Sequence, residues 1–405
     1  MNLRADPADV AEPTRQPTLF LLLYALAWAG GAVAYVPFLT ILLPARIELM
    51  TPEPVRWLAY MSFTGAIAAS VGGVVFGWLS DLSGRRVPWI AVGLLVTVGL
   101  LSLVPLATSP LSLLVLIVVW QLSLNMMLAP LAAWAADQVP PAQLGSLGGL
   151  LAFSPALGSA AGALVTISGL ASPDGRLFLV GVLVVLCVVP ALAAAGTARD
   201  VAPLLDRQAT ETSRPRSRIV AMWIARVLLQ IAEAALFAYL YFYFRSIDPA
   251  SDTGSVARLF SVVVGTSVPV ALVVGRWSDR HHRPIAPLIG CALVAATALG
   301  AMALASGVTQ ATAAYVVFGV SATVFLSLHS AQTFRVLGRG SHGRDLGLFN
   351  LTNTAPSLIM PWLAASIIPS FGYSTLFGLL AIFALGSAVI LLLLVHRNRR
   401  GSRPG

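Results

Sequence analysis

The chain has 405 residues, of which 58% are hydrophobic and 10% charged, against about 25% charged in a soluble domain. Apolar runs of the ~20 residues needed to cross a hydrocarbon core about 30 Å thick recur from end to end, without the period-two alternation of a membrane β-barrel. The net charge of +9 comes from arginine alone, with no lysine present. It gathers between the apolar runs, as in polytopic membrane proteins, and so points away from nucleic acid. The only cysteines, Cys187 and Cys291, lie inside apolar runs and suggest neither a disulfide framework nor a metal site. No nucleotide-binding motif and no nucleophile–base set is present, so no cofactor, metal or enzymatic activity is expected and ATP-driven pumping is unsupported.

Residues 1–17 read as a polar cytoplasmic tail that precedes a retained first helix. Twelve spans follow, at 18–44, 55–79, 87–107, 110–134, 147–170, 176–196, 219–244, 256–275, 285–306, 309–334, 347–369 and 373–395. Residues 199–218, rich in Pro, Ser, Thr and alternating charge, read as a cytoplasmic linker. It separates a six-helix bundle over 18–198 from a second over 219–395, and 396–405 form a basic tail. Nineteen arginines fall in the tails and the even-to-odd loops, and five (Arg46, Arg56, Arg176, Arg245 and Arg258) in the opposite loops. The bias predicts that both termini are cytoplasmic.

The halves repeat. GWLSDLSGRR (Gly77 to Arg86) follows span two, and GRWSDRHHRP (Gly275 to Pro284) follows span eight. Gly77, Ser80, Asp81 and Arg85 recur 198 residues later as Gly275, Ser278, Asp279 and Arg283. The same offset carries Gly145 and Gly149 onto Gly343 and Gly347. Parallel six-helix repeats mark a transporter with its site near the midplane between the halves.

On these features the sequence resembles the major facilitator superfamily over essentially its whole length. The resemblance implies an all-α polytopic membrane protein of twelve transmembrane helices in two pseudo-symmetric six-helix bundles. GWLSDLSGRR is similar to the superfamily's loop signature, which implies a cytoplasmic gate built on Gly77, Asp81, Gly84, Arg85 and Arg86. The second copy, with Gly275, Asp279 and Arg283, departs from it at His282 and Pro284. In the superfamily the acid latches the cytoplasmic side, which would set Asp81 near residues 345–347 and Asp279 near Gly145. GRRVPWI, NMMLAPLAAWAADQVP and GRDLGLFNLTNTAP are similar to the glycoside–cation and sucrose symporter-like branch. PALG (Pro155 to Gly158) partly matches the antiporter motif of drug exporters, degraded at Ser154 and Ser159.

Span seven poses the sharpest chemical question. Arg226, Gln230 and Glu233 are spaced by four and three on one helical face, which Phe237 and Tyr241 continue. Glu233 lies about 21 Å from the start of the span, near or just past the midplane. A central acid or Arg costs about 2.5–3.5 kcal/mol on an insertion scale, so an intramembrane ionisable group is a functional candidate by default. Arg226 and Glu233 are about 10.5 Å apart along the axis, too far to touch without Gln230 or water between them. The resemblance places spans one, four, seven and ten around a cavity. That makes Tyr24, Trp28, Tyr35, Gln121, Asn125, Arg226, Gln230, Phe237, Tyr241 and Gln332 candidate solute contacts, and Glu233 and His329 candidate proton carriers.

The expected function is secondary active transport of a small organic solute, sugar- or glycoside-like, by alternating access with proton coupling. Its setting is the lipid bilayer of a bacterial cytoplasmic membrane, with the chain working as a monomer. A drug or metabolite efflux antiporter is the alternative. A sensor or assembly factor on the same fold that transports nothing is a third.

Overall fold

The structure, a computed structural model, describes residues 15–140, 143–151, 153–195, 216–281, 283–337 and 342–401. It does so without the side chains at 136, 144–146, 216–219, 279, 331, 333–337, 342–354 and 397–401. Most of the expected linker therefore lies outside the described residues. Those residues contain helices and no strand. In a bilayer an α-helix satisfies its backbone polar groups within one segment, which an open strand cannot do.

The helices are α1 (Thr18–Met50), α2 (Pro54–Ser83), α3 (Arg86–Leu103), α4 (Pro110–Gln138), α5 (Leu144–Leu151 continued by Ser154–Val165) and α6 (Pro173–Ala193). The second half has α7 (Arg216–Ile247), α8 (Thr253–Arg280), α9 (Ala286–Leu304) and α10 (Val308–Leu337). Its last segment, His342–Gly401, is continuously helical except at Gly372, where φ is 73° and ψ 179°. That residue divides it into α11 (342–371) and α12 (373–401). The 198-residue offset holds for whole helices: α1 and α7 start at Thr18 and Arg216, α4 and α10 at Pro110 and Val308, and α5 and α11 at Leu144 and His342.

Several ends differ from the sequence expectation. α1 continues to Met50 through a π-helical turn at Phe38–Leu42, after Pro37. Glu48 is thereby carried into the helix. α7 likewise runs to Ile247, taking in Arg245, and α2 to Ser83, which puts Asp81 in its last turn. The expected fifth span instead breaks before Pro155, which lacks the N–H to continue a ladder, and stops at Val165. Among the described residues, three starts are capped by side chains, among them that of α6, where Ser172 accepts from the Gly175 amide at 3.1 Å. Ser109 and Ser112 form a reciprocal capping box on α4. Asp252 accepts from the Ser255 amide and hydroxyl, and the hydroxyl bond holds its carboxyl below the usual range.

In the first half α1 packs on α5 and α6, and α4 on α2 and α3. In the second, α7 and α9 pack on the 342–401 pair, and α10 on α8 and α9. The halves meet along α1 with α7, α2 with the 342–401 pair, and α5 with α8. Small residues set the closest approaches. A Cβ on Gly93 would stand 2.5 Å from the Met127 amide nitrogen, and one on Gly158 2.8 Å from the Ala32 carbonyl oxygen. Neither neighbour is a side chain that can swing away. Gly93→Ala should therefore overpack the α3–α4 contact by about 1–3 kcal/mol and lower the melting temperature in detergent. Gly99→Ala, whose methyl meets nothing within 4 Å, should match the parent.

Candidate functional site

The polar stripe of α7 lies at the seam between the halves. Arg226 is buried, donates from Nε to Gln230 Oε1 at 3.2 Å and from Nη1 to Ser330 Oγ of α10 at 2.9 Å. Ser330 passes its own hydrogen to the Leu326 carbonyl at 2.8 Å. Gln230 thus occupies the step between Arg226 and Glu233. Glu233 is half-buried and within electrostatic reach of Arg226, of Tyr35 on α1 and of Tyr315 on α10. One turn further, Phe237 meets Tyr35 with ring centroids 6.2 Å apart. Leu229, Ala232, Leu236 and Leu240 of the same helix are buried.

Other expected site residues make contacts of their own. Tyr24 is buried, and its hydroxyl donates to the Leu131 carbonyl of α4 at 2.9 Å. Trp28 is partly buried against the core. Gln121 lies over Gly65 of α2, and Asn125 folds back to the Gln121 carbonyl at 2.9 Å beside Gly72. His329 is buried with Nε2 2.9 Å from the Met222 carbonyl of α7, its ring stacked on Phe325. Gln332 is half-buried on α10.

At the end bearing the termini, the loop motif builds a clamp within the first half. Gly84 closes α2 in the left-handed region at φ 62°, its amide donating to the Asp81 carbonyl at 3.2 Å. The chain then turns so that Arg86 pairs with Asp81, donates to Asp137 Oδ2 of α4 at 2.9 Å, and to Ser80 Oγ at 2.7 Å. Arg86 carries this network, while Arg85 is exposed. Gly77 of α2 faces Ala129, as Gly275 of α8 faces Leu328, at distances that would admit a Cβ at either position. Pro284 stands where Arg86 would recur. Arg283 is exposed and its carbonyl accepts from Ser278 at 3.4 Å. The side chains of Asp279 and of 342–354 lie outside the described residues, as do the latch contacts expected with them.

The opposite end is held shut by contacts that sequence reasoning missed. Glu48 of α1 accepts from Arg245 Nε at 3.1 Å and from the Tyr241 hydroxyl at 2.8 Å, both on α7. Tyr241 thus belongs to a closure between the halves rather than to the stripe's polar group. Arg176 donates to the Thr253 hydroxyl at 3.0 Å, and Ser261 to the Ser159 carbonyl at 3.0 Å. Phe63 meets Trp362 edge-on at 5.3 Å. Arg46 braces this end within the first half, reaching Asp174 at 2.8 Å and the Pro105 carbonyl at 2.6 Å. An Arg four residues past Tyr241 on one helical face was the only signal for the Glu48 contact.

A profile described as Major Facilitator Superfamily matches residues 18–354 and, again, 222–405. A search of curated proteins finds no match. Among solved structures, the fold is similar to a bacterial homologue of the human lysosomal transporter Spinster. Its inward-facing, unoccupied form gives a TM-score of 0.65 at 14% identity, over 93% of this chain and 95% of that one. The inward-facing, occupied form gives 0.69 at 14% identity, over 94% and 97%. The nucleoside transporter NupG gives 0.68 at 13% identity, over 93% and 100%.

Because one guanidinium serves two carboxylates, its loss should exceed the loss of either acid. Arg86→Gln should cost about 1–2 kcal/mol of stability, and Asp81→Asn or Asp137→Asn less, read as melting temperatures of the purified variants.

Proposed function

The chain belongs to the major facilitator superfamily, the transporters of small solutes in lipid bilayers, and from that premise we propose that it couples proton movement to transport of a small polyhydroxylated organic solute, sugar- or glycoside-like, by alternating access. The observation that carries this reading is the α7 stripe. It carries one acid, Glu233, at the seam between the halves, with Arg226 within electrostatic reach and the Tyr35–Phe237 aromatic pair one turn on. Tyr35 and Phe237 offer apolar faces to the C–H side of a sugar ring, while Arg226, Gln230 and Glu233 offer donors and acceptors to its hydroxyls. A proton on Glu233 leaves Arg226 as the only charge of the stripe. Its release restores a balanced pair, so proton gain and loss alter the charge that the solute meets.

Glu48, Tyr241 and Arg245 close one end in this state. The arginine bias assigns that end to the outside and both termini to the cytoplasm, so the state is inward-facing in a bacterial cytoplasmic membrane. The protein works as a monomer, since both halves of the site come from one chain. The Asp81–Arg86–Asp137 clamp belongs to the cytoplasmic end and stiffens the first half for its rocking motion. Uptake is preferred over export because the PALG segment matches the antiporter motif only partly, with Ser154 and Ser159 where that motif has glycines.

Proteoliposomes supplied with labelled sugars and glycosides test the coupling. An imposed inward proton gradient should drive accumulation by the parent. Glu233→Gln should abolish accumulation and retain solute exchange, which needs no net proton release. Normal gradient-driven accumulation by Glu233→Gln would remove it as the coupling site. If the acid only balances Arg226, the single change should cost about 3–5 kcal/mol of stability, and adding Arg226→Gln should restore both folding and accumulation. Tags at Met1, in the 199–218 linker and at Gly405 should be reached only from the cytoplasmic side.

A further inference from the structure

Two side chains whose chemistry suits solute or proton handling are engaged elsewhere, and in matching ways. Tyr24 of α1, 1% exposed, donates its hydroxyl to the Leu131 carbonyl of α4. His329 of α10, 0% exposed, sets Nε2 against the Met222 carbonyl of α7. A carbonyl only accepts, so Nε2 carries the hydrogen. These four positions are two pairs under the offset that relates the halves. Residue 24 corresponds to 222, and 131 to 329, each 198 residues on. The same point in each half is therefore bridged by one side-chain-to-carbonyl bond of 2.9 Å. Only the direction differs: the donor is on α1 in the first half and on α10 in the second. Each donor ring also has an aromatic neighbour, Trp134 at 6.0 Å for Tyr24 and Phe325 at 5.6 Å for His329.

The second bridge falls where it matters for the stripe. Met222 lies one turn before Arg226, and the Ala225 carbonyl beside it accepts from Ser387 of α12, also fully buried, at 2.8 Å. Two outside donors thus hold α7 at the turn from which Arg226, Gln230 and Glu233 project. A slip of one residue would rotate those groups by about 100° off their face. Arg226 of α7 is within electrostatic reach of His329, and Ser330, next to His329, receives its guanidinium.

We infer that Tyr24 and His329 are pseudo-symmetric struts, positioning residues that tie α1 to α4 and α7 to α10, and that His329 orients the Glu233 stripe instead of carrying the coupled proton. The role assigned to His329 rests on reading that stripe as the coupling site. The bridges themselves do not.

The test combines melting temperature with a pH profile in a background lacking Cys187 and Cys291. Spin labels at Pro52→Cys and Ala250→Cys, exposed on the two sides of the end closed by Glu48, report its opening as pH is varied. His329→Gln keeps an amide donor and cannot titrate like imidazole. It should retain both the melting temperature and the pH profile. His329→Ala should lower the melting temperature by about 2–4 °C, for one lost buried hydrogen bond, and should broaden the label distances. Tyr24→Phe should lower it similarly from the other half. A parental melting temperature with a lost pH profile in His329→Gln would make His329 a proton carrier and overturn the inference. Parental melting temperatures in both His329→Ala and Tyr24→Phe would overturn it from the other side. If Gln fails to rescue the histidine site, Tyr24→Phe still decides the strut. A pH profile already flat in the parent would sink the proton reading of Glu233 alone, and the rescue comparison would still judge the bridges.

Discussion

The guanidinium of Arg226 is buried on a largely apolar helix, and it must be kept satisfied there. A charge in hydrocarbon must be paired, solvated or hydrogen-bonded. Gln230 takes one side of it from within α7 and Ser330 takes another from α10, itself relaying to the α10 backbone. Both of these acceptors are neutral. The one acid on the same face, Glu233, interacts electrostatically with Arg226 and stands next to the first half through Tyr35. A hydrogen-bonded cation and an acid at the seam are what a proton-responsive site needs.

The two halves share a scaffold but divide the chemistry. The offset that maps α1 onto α7 places Trp28 opposite Arg226 in the repeat and Tyr35 opposite Glu233. Aromatic groups in the first half thus correspond to ionisable groups in the second, and the equivalent Tyr35 and Glu233 approach one another across the seam. The asymmetry extends to the ends of the bundle. The Arg86 clamp belongs to the first half, and Pro284 stands at the equivalent position of the second. Glu48, by contrast, reaches across to two donors on α7, so closure at that end joins the halves directly. Its position depends on α1 running past its π-helical turn to Met50. Such turns are common at functional sites, where they adjust the facing of the residues beyond them.

Much of this was legible in the sequence because the signals were local or periodic. Twelve spans follow from run lengths, and the repeat from one offset seen in two loops. The stripe follows from spacings of four and three, and the Arg226–Gln230 contact is a neighbouring-turn pair that such spacing predicts. Long-range choices were not legible. Nothing near Arg86 in the chain says that it will share itself with Asp137, or that Glu48 will find Arg245 nearly 200 residues away. Tyr24 and His329 were read as site groups from residue type and from their places on spans one and ten. Type does not reveal which carbonyl a buried donor will meet. The missed extension of α1 had a physical cause too: Pro44 and the charges at Arg46 and Glu48 look like a loop, yet Pro is tolerated at the start of the helical segment Leu43–Met50, and both charges find partners there.

The central claim is that the α7 stripe faces water-accessible space between the halves in a state open toward the termini. Cysteine accessibility tests it directly in the background without Cys187 and Cys291. A membrane-impermeant maleimide added from the side of the termini should modify Gln230→Cys and leave Ala232→Cys, on the fully buried face of the same helix, unmodified. Protection of Gln230→Cys equal to that of Ala232→Cys, in protein shown to be folded, would contradict the account.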